Sequence, residues 1–87
     1  MRVIYCNIDP FAYDQKVYVY DENNKSKEIG KAPLEYLHQF IANQCAEKDI
    51  EEVTLTGFKQ YTEEMAQKIL TYSKAKYSGK TINVTVR

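Results

Sequence analysis

One histidine, two cysteines and a scatter of carboxylates are the groups in this 87-residue chain that could do chemistry. His38 and Cys45 are seven positions apart, on one face of a helix, and Cys6 would make a third ligand for a zinc-like ion. That spacing matches no zinc signature. Asp9, Asp14 and Asp21 would suit a hard cation if folding gathered them at one sheet edge, but solvated acids at strand ends account for them more simply. No serine or cysteine near His38 in the sequence suggests a triad. The chain is therefore read as non-catalytic, with no catalytic residues, no metal site and no cofactor.

A second place to look is EEVTLTGFKQYTEEMAQKI, residues 51–69. It reads as a strand, a turn on one glycine and a helix start, where many α/β proteins hold a phosphate. Here Gly57 is followed at once by bulky Phe58, and three glycines in the whole chain are too few for a cradle of backbone amides. Gly57 is expected to permit the turn, and Phe58 to pack beneath the helix.

Composition narrows the classes further. Eighty-seven residues make one domain, spanning 1–87, which buries about 60–65% of its extended surface. Twelve basic residues balance twelve acidic ones. Nucleic-acid binding is disfavoured by that balance, because phosphate neutralisation calls for a basic excess. No apolar run is long enough for a membrane span, and MRVIYCNID enters a strand pattern directly, so a cytoplasmic location and no membrane partner are expected. Cys6 and Cys45 read as buried, reduced thiols that behave as small hydrophobes. Ten lysines against two arginines, with eight tyrosines, suggest an AT-rich genome.

The elements that would position these groups follow from pattern. RVIYCNI, residues 2–8, is apolar almost throughout and suits a central strand. DPFAYDQ is a loop opened by Asp9-Pro10. KVYVYD (16–21) is a second strand; the turn ENNK (22–25) leads into a short third, SKEI (26–29). A helix is expected from Ala32 to Glu47, with Pro33 at its first position. Its stripe is Leu34, Leu37, Ile41 and Cys45, with Phe40 at the margin. Val53–Thr56 is the fourth strand. Thr62 reads as the N-cap of a second helix, helped by Glu63 and Glu64. That helix would bury Met65, Ile69 and Tyr72, flanked by Ala66 and Leu70, and stop at Gly79. TINVTVR (81–87) closes the chain as an alternating strand.

The order is β-β-β-α-β-α-β. If the first, fourth and fifth strands run parallel and step in one direction, right-handed crossovers put both helices on one face of the sheet. Alternation agrees. Val53 and Leu55 oppose Thr54 and Thr56; Ile82, Val84 and Val86 oppose Thr81, Asn83 and Thr85. The expected fold is a two-layer α/β sandwich, a five-stranded mixed sheet with one face open.

That order of elements resembles the ribonuclease H-like fold, shared with the actin-like ATPases, in a minimal form lacking the helix that usually covers the second face. The resemblance implies an aspartate at the end of the first strand, which Asp9 in YCNID matches. It also implies a second acid at the end of the fourth, where this chain has Thr56 and Gly57. Two-metal chemistry needs several carboxylates, and Glu35 matches no motif. In the ATPases a glycine follows the aspartate, where this chain reads DPFAYD. The resemblance thus extends to the fold and leaves the chemistry behind, with a degenerate enzyme using Asp9 as the alternative.

What remains is the open face. With Ile4, Cys6 and Ile8 toward the helices, Val3, Tyr5 and Asn7 look outward. On the second strand either Val17 and Val19 or Tyr18 and Tyr20 must join them, and the tyrosines tolerate exposure better. The candidate binding residues are Tyr5, Tyr18, Tyr20, Thr54, Thr56 and Asn83, with Thr81 and Thr85 beside them. Tyrosine offers large area and a hydroxyl at low entropy cost. The expected partner is another protein or a second copy of this chain; single-stranded nucleic acid stacking on the tyrosines is the alternative.

Overall fold

A computed structural model describes residues 1–23 and 25–87. Among these the chain forms five strands and two α-helices: β1 (Val3–Ile8), β2 (Asp14–Tyr20), β3 (Ser26–Pro33), α1 (Leu37–Lys48), β4 (Glu52–Gly57), α2 (Lys59–Lys76) and β5 (Asn83–Val86). The order is the one expected, and strands lie in the sheet as β3-β2-β1-β4-β5. β1 is central. It pairs antiparallel with β2 and parallel with β4, and β5 adds parallel to β4.

The core forms between the helices and one sheet face. Ile4, Cys6, Ile8, Val17, Val53 and Leu55 point there and are buried against Leu37, Ile41, Cys45, Met65 and Ile69. Alternation along β1 and β4 delivers this directly, because successive side chains leave a strand on opposite sides.

Several boundaries differ from expectation. β2 begins at Asp14, not at Lys16, and β3 runs on to Pro33. Ala32 and Pro33, assigned by sequence to a helix start, instead pair with Gln15 and Asp14. Proline is acceptable there because it ends an edge strand, where no neighbour needs its missing N–H. A 3-10 turn, Leu34–Tyr36, follows, so α1 begins only at Leu37. Of the expected turn 22–25, Asn24 lies outside the described residues.

Thr62 is not an N-cap. α2 starts three residues earlier, at Lys59, after Phe58 in an extended conformation with no side-chain cap. Thr62 is fully buried in the first turn, where its hydroxyl donates to the Lys59 carbonyl at 3.1 Å. The buried stripe accordingly runs Thr62, Met65, Ala66, Ile69, Ser73, while Tyr72 is half-buried and Leu70 exposed. The helix also ends before Gly79: the Tyr77 N–H closes the last turn on the Ser73 carbonyl. Thr81 and Ile82 precede β5 and do not belong to it.

Gly57 has a firmer role than a turn. It ends β4 opposite Ile8, with φ 129°, and a Cβ there would stand 2.5 Å from the Ile8 carbonyl oxygen. Both the left-handed φ and the close approach exclude a side chain. Gly57→Ala is therefore expected to cost about 2 kcal/mol or more, read as a lower urea midpoint with an unchanged slope.

Candidate functional site

On the uncovered face the register places the candidate residues side by side. Tyr5 is opposite Tyr18 on β2 and Thr54 on β4, and Val3 is opposite Tyr20. Thr54 in turn faces Thr85, and Glu52 faces Asn83. Tyr18 and Tyr20 thus share the outer face with Tyr5, and Val17 and Val19 turn inward to the core. All six binding candidates lie on this face, and Thr81 falls in the loop before β5.

The side chains hold one another. Tyr5 and Tyr20 pack edge to face, with ring centres 5.4 Å apart at 85°. Thr56 Oγ1 donates to Asn7 Oδ1 at 3.0 Å and is 3.2 Å from the Tyr5 hydroxyl. Since the threonine has a single proton, the tyrosine must donate in that second bond. The Tyr5 oxygen keeps a lone pair toward solvent. The hydroxyls of Tyr18 and Tyr20 have no hydrogen-bond partner among the described residues.

The other candidates are not brought together. Asp9 and Asp14 flank the loop at the carboxyl end of β1, whereas Asp21 follows β2 at its far end. His38 is half-buried between the helices, edge-on to Tyr72 with ring centres 5.8 Å apart. Burial, with the Lys68 charge second, holds its pKa below the ordinary histidine value. Cys6 and Cys45 are fully buried in the core. Among the described residues no group of three or more His, Cys, Asp or Glu side chains could hold a metal ion.

Asp9 has a structural occupation. Its Oδ1 accepts the Phe11 N–H at 2.9 Å, an aspartate turn of the ordinary kind. The loop it opens is clamped by Gln15, which is only 1% exposed. Gln15 Oε1 accepts the Asp9 N–H at 2.8 Å, and Nε2 donates to the carbonyls of Asp9 at 2.7 Å and Ala12 at 3.2 Å. Sequence pattern misses this residue, because one glutamine at a strand start looks like any solvated side chain.

This clamped loop presents a second surface. Phe11 is 90% and Tyr13 85% exposed. Phe58, expected beneath α2, is instead 63% exposed and packs only loosely on Tyr61, with centres 6.5 Å apart. The core under the start of α2 is already filled by Thr62 and Met65, which leaves the Phe58 ring outside. Beside these aromatics a groove of about 500 Å³ runs between Tyr13, Leu34, Glu35 and Met65.

No protein-family model matches the chain, and no curated protein matches it. Among solved structures, the crystal structure of the Aquifex aeolicus member of the Ppx/GppA protein family is similar to it, with a TM-score of 0.45 and 15% sequence identity. The likeness covers 99% of this chain and 35% of that one, so the chain spans about a third of the other protein's length. Among the described residues no helix is long and apolar enough to cross a membrane.

Two outcomes follow. Gln15→Leu leaves the Asp9 N–H and the Ala12 carbonyl without their Gln15 partner, while the Asp9 carbonyl keeps the Ala12 N–H at 3.2 Å. At about 1–3 kcal/mol for a lost partner, amide exchange at Asp9 and proteolysis at residues 9–13 should accelerate. Burial pushes the thiols of Cys6 and Cys45 up to about 12 and about 11, the latter despite the nearby Lys80 charge. Thiolate being the reactive form, neither should react with iodoacetamide at pH 8 until denaturant is added; mass spectrometry reads this directly.

Proposed function

We propose that this chain is a small, non-catalytic interaction module that binds protein through its open sheet face. The observation that carries the reading is the alignment of Tyr5, Tyr18 and Tyr20 on a face that no helix covers. The Tyr5 and Tyr20 rings are already ordered by mutual packing and Tyr5 by the Tyr5–Thr56–Asn7 chain, so these two have little freedom to lose on docking. Free tyrosine hydroxyls supply hydrogen bonds at the rim of an apolar contact.

Charge supports protein over nucleic acid. The same face carries Asp14, Glu28 and Glu52 as well as Lys16 and Lys31, assigned by the strand register. A phosphate backbone would meet those acids, with Arg87, next after β5, as the arginine that the register brings to this side. The enzyme alternative has less in its favour, since the Asp9 carboxylate is engaged by its own loop and, among the described residues, belongs to no group of three or more potential metal ligands.

The test compares variants on and off the face. Protein captured by the immobilised chain should be lost with Tyr18→Ala or Tyr20→Ala, each weakening binding by about 1–2 kcal/mol or more. It should be retained with Tyr36→Ala, whose ring belongs to the 3-10 turn. Equal capture by all three variants would overturn the reading. So would tight binding of mixed single-stranded oligonucleotides that falls steeply with salt. Divalent-metal-dependent turnover that disappears in Asp9→Asn would put the enzyme in its place.

A further inference from the structure

Charge on the open face is divided between opposite corners. Lys16 and Lys31 stand directly across from each other on β2 and β3, level with Asn7 near the carboxyl end of β1. Asp14, 3.9 Å from the Lys31 amine, tempers that corner, and Glu28 comes next along β3, opposite Tyr18. Diagonally across the sheet, Glu52 begins β4 beside Asn83, whose amide donates to it at 3.3 Å, and exposed Glu51 precedes it. Tyr18 and Tyr5 lie between the two corners.

Building on the open-face reading above, we propose that the partner of this face is a second copy of the chain. The copies dock face to face about a two-fold axis in the plane of the interface, passing close to Tyr5 and Tyr18. A diagonal axis lays the Lys16–Lys31 corner of each copy on the Glu52 corner of the other, twice per dimer. It also crosses the strands of the two sheets near a right angle, one of the two ways in which sheets pack. An axis along β1 would instead set Lys16 over Thr56 and Glu52 over Tyr20, leaving both charges unmatched.

The face is of a size to support this. Five strands about 4.8 Å apart and about six residues long at ~3.3 Å each give a footprint of roughly 24 by 20 Å. Corrugated by side chains, two such faces come to the lower end of specific interfaces, roughly 1,200 Å² in total. The dimer is therefore weak, concentration-dependent and sensitive to salt.

Sedimentation equilibrium should show the mass rising from 10.2 kDa toward twice that value as concentration increases. Salt at about 1 M, where screening reaches ~3 Å, should shift it back without any substitution. The double variant Lys16→Glu with Lys31→Glu, and separately Glu52→Lys, should each weaken self-association roughly tenfold or more; circular dichroism confirms that they fold. Mixed one to one, the two variants should dimerise again, because one corner contact then keeps its native signs and the other is restored with reversed signs. A wild-type chain that keeps the mass of one copy at millimolar concentration overturns the proposal. So do charge variants that dimerise as well as wild type, or a mixture that gains nothing. A monomeric wild type whose heterologous partner is still lost in Tyr18→Ala overturns only the second copy. Dimerisation unchanged in Tyr18→Ala overturns the open-face reading itself.

Discussion

Both crossovers in this chain step across the sheet in the same direction. From β3 the chain passes over β2 and β1 to reach β4, then moves outward once more to β5. Right-handed connections of that kind can only stack their helices on one side. The covered side then gathers Ile4, Cys6, Val53 and Leu55 against α1 and α2. The other side is left with what alternation gives it, which is tyrosine, threonine, asparagine and a few charges. A chain of this composition has no further layer to place there within the described residues, so the handedness of two crossovers decides which face of the sheet stays open.

Chemistry is limited by the same economy. Carboxylates cluster only when several strand ends deliver them to one point, and here the strand ends deliver Asp9 and Gly57. Gly57 is required by the approach of the Ile8 carbonyl, and Asp9 is held by its own loop through Gln15 and the Phe11 amide. Both positions serve the backbone. Phe11 and Tyr13 are consequently displayed on a loop that is pinned by side-chain hydrogen bonds without being buried.

Much of the fold was legible because period-two alternation in β1, β4 and β5 survives in the residues themselves. Alternation left two orientations of β2 open, and it was tyrosine's tolerance of exposure, not the pattern, that favoured Tyr18 and Tyr20 on the outer face. Ends of elements were not. Ala32-Pro33 carries a helix-start signal, yet pairing with Gln15 and Asp14 satisfies Ala32 as strand and draws β3 onward. Thr62 carries a cap signal, yet burial under the first turn of α2 takes its hydroxyl inward to Lys59. Phe58 reads as core because it is large and apolar, and only the three-dimensional filling of that space by Thr62 and Met65 turns it out. The Gln15 clamp left no signal at all, since its three contacts join backbone groups that no sequence pattern marks.

The central place of β1 has a consequence for how the molecule is made. Its antiparallel neighbour follows within a few residues, but its parallel neighbour begins 52 − 3 = 49 positions later, Val3 pairing with Glu52. On a ribosome adding about 5–20 residues per second, that interval is roughly 2–10 seconds. Hairpins close in about 1–10 microseconds, so β1, β2 and β3 have ample time to assemble as a bare meander. During those seconds one backbone edge of β1 and the side chains of Ile4, Cys6 and Ile8 face water, in the form of strand that recruits other strands. Only the arrival of β4 and α2 withdraws them. The nascent chain is at its most adhesive in the interval before β4 and α2 emerge.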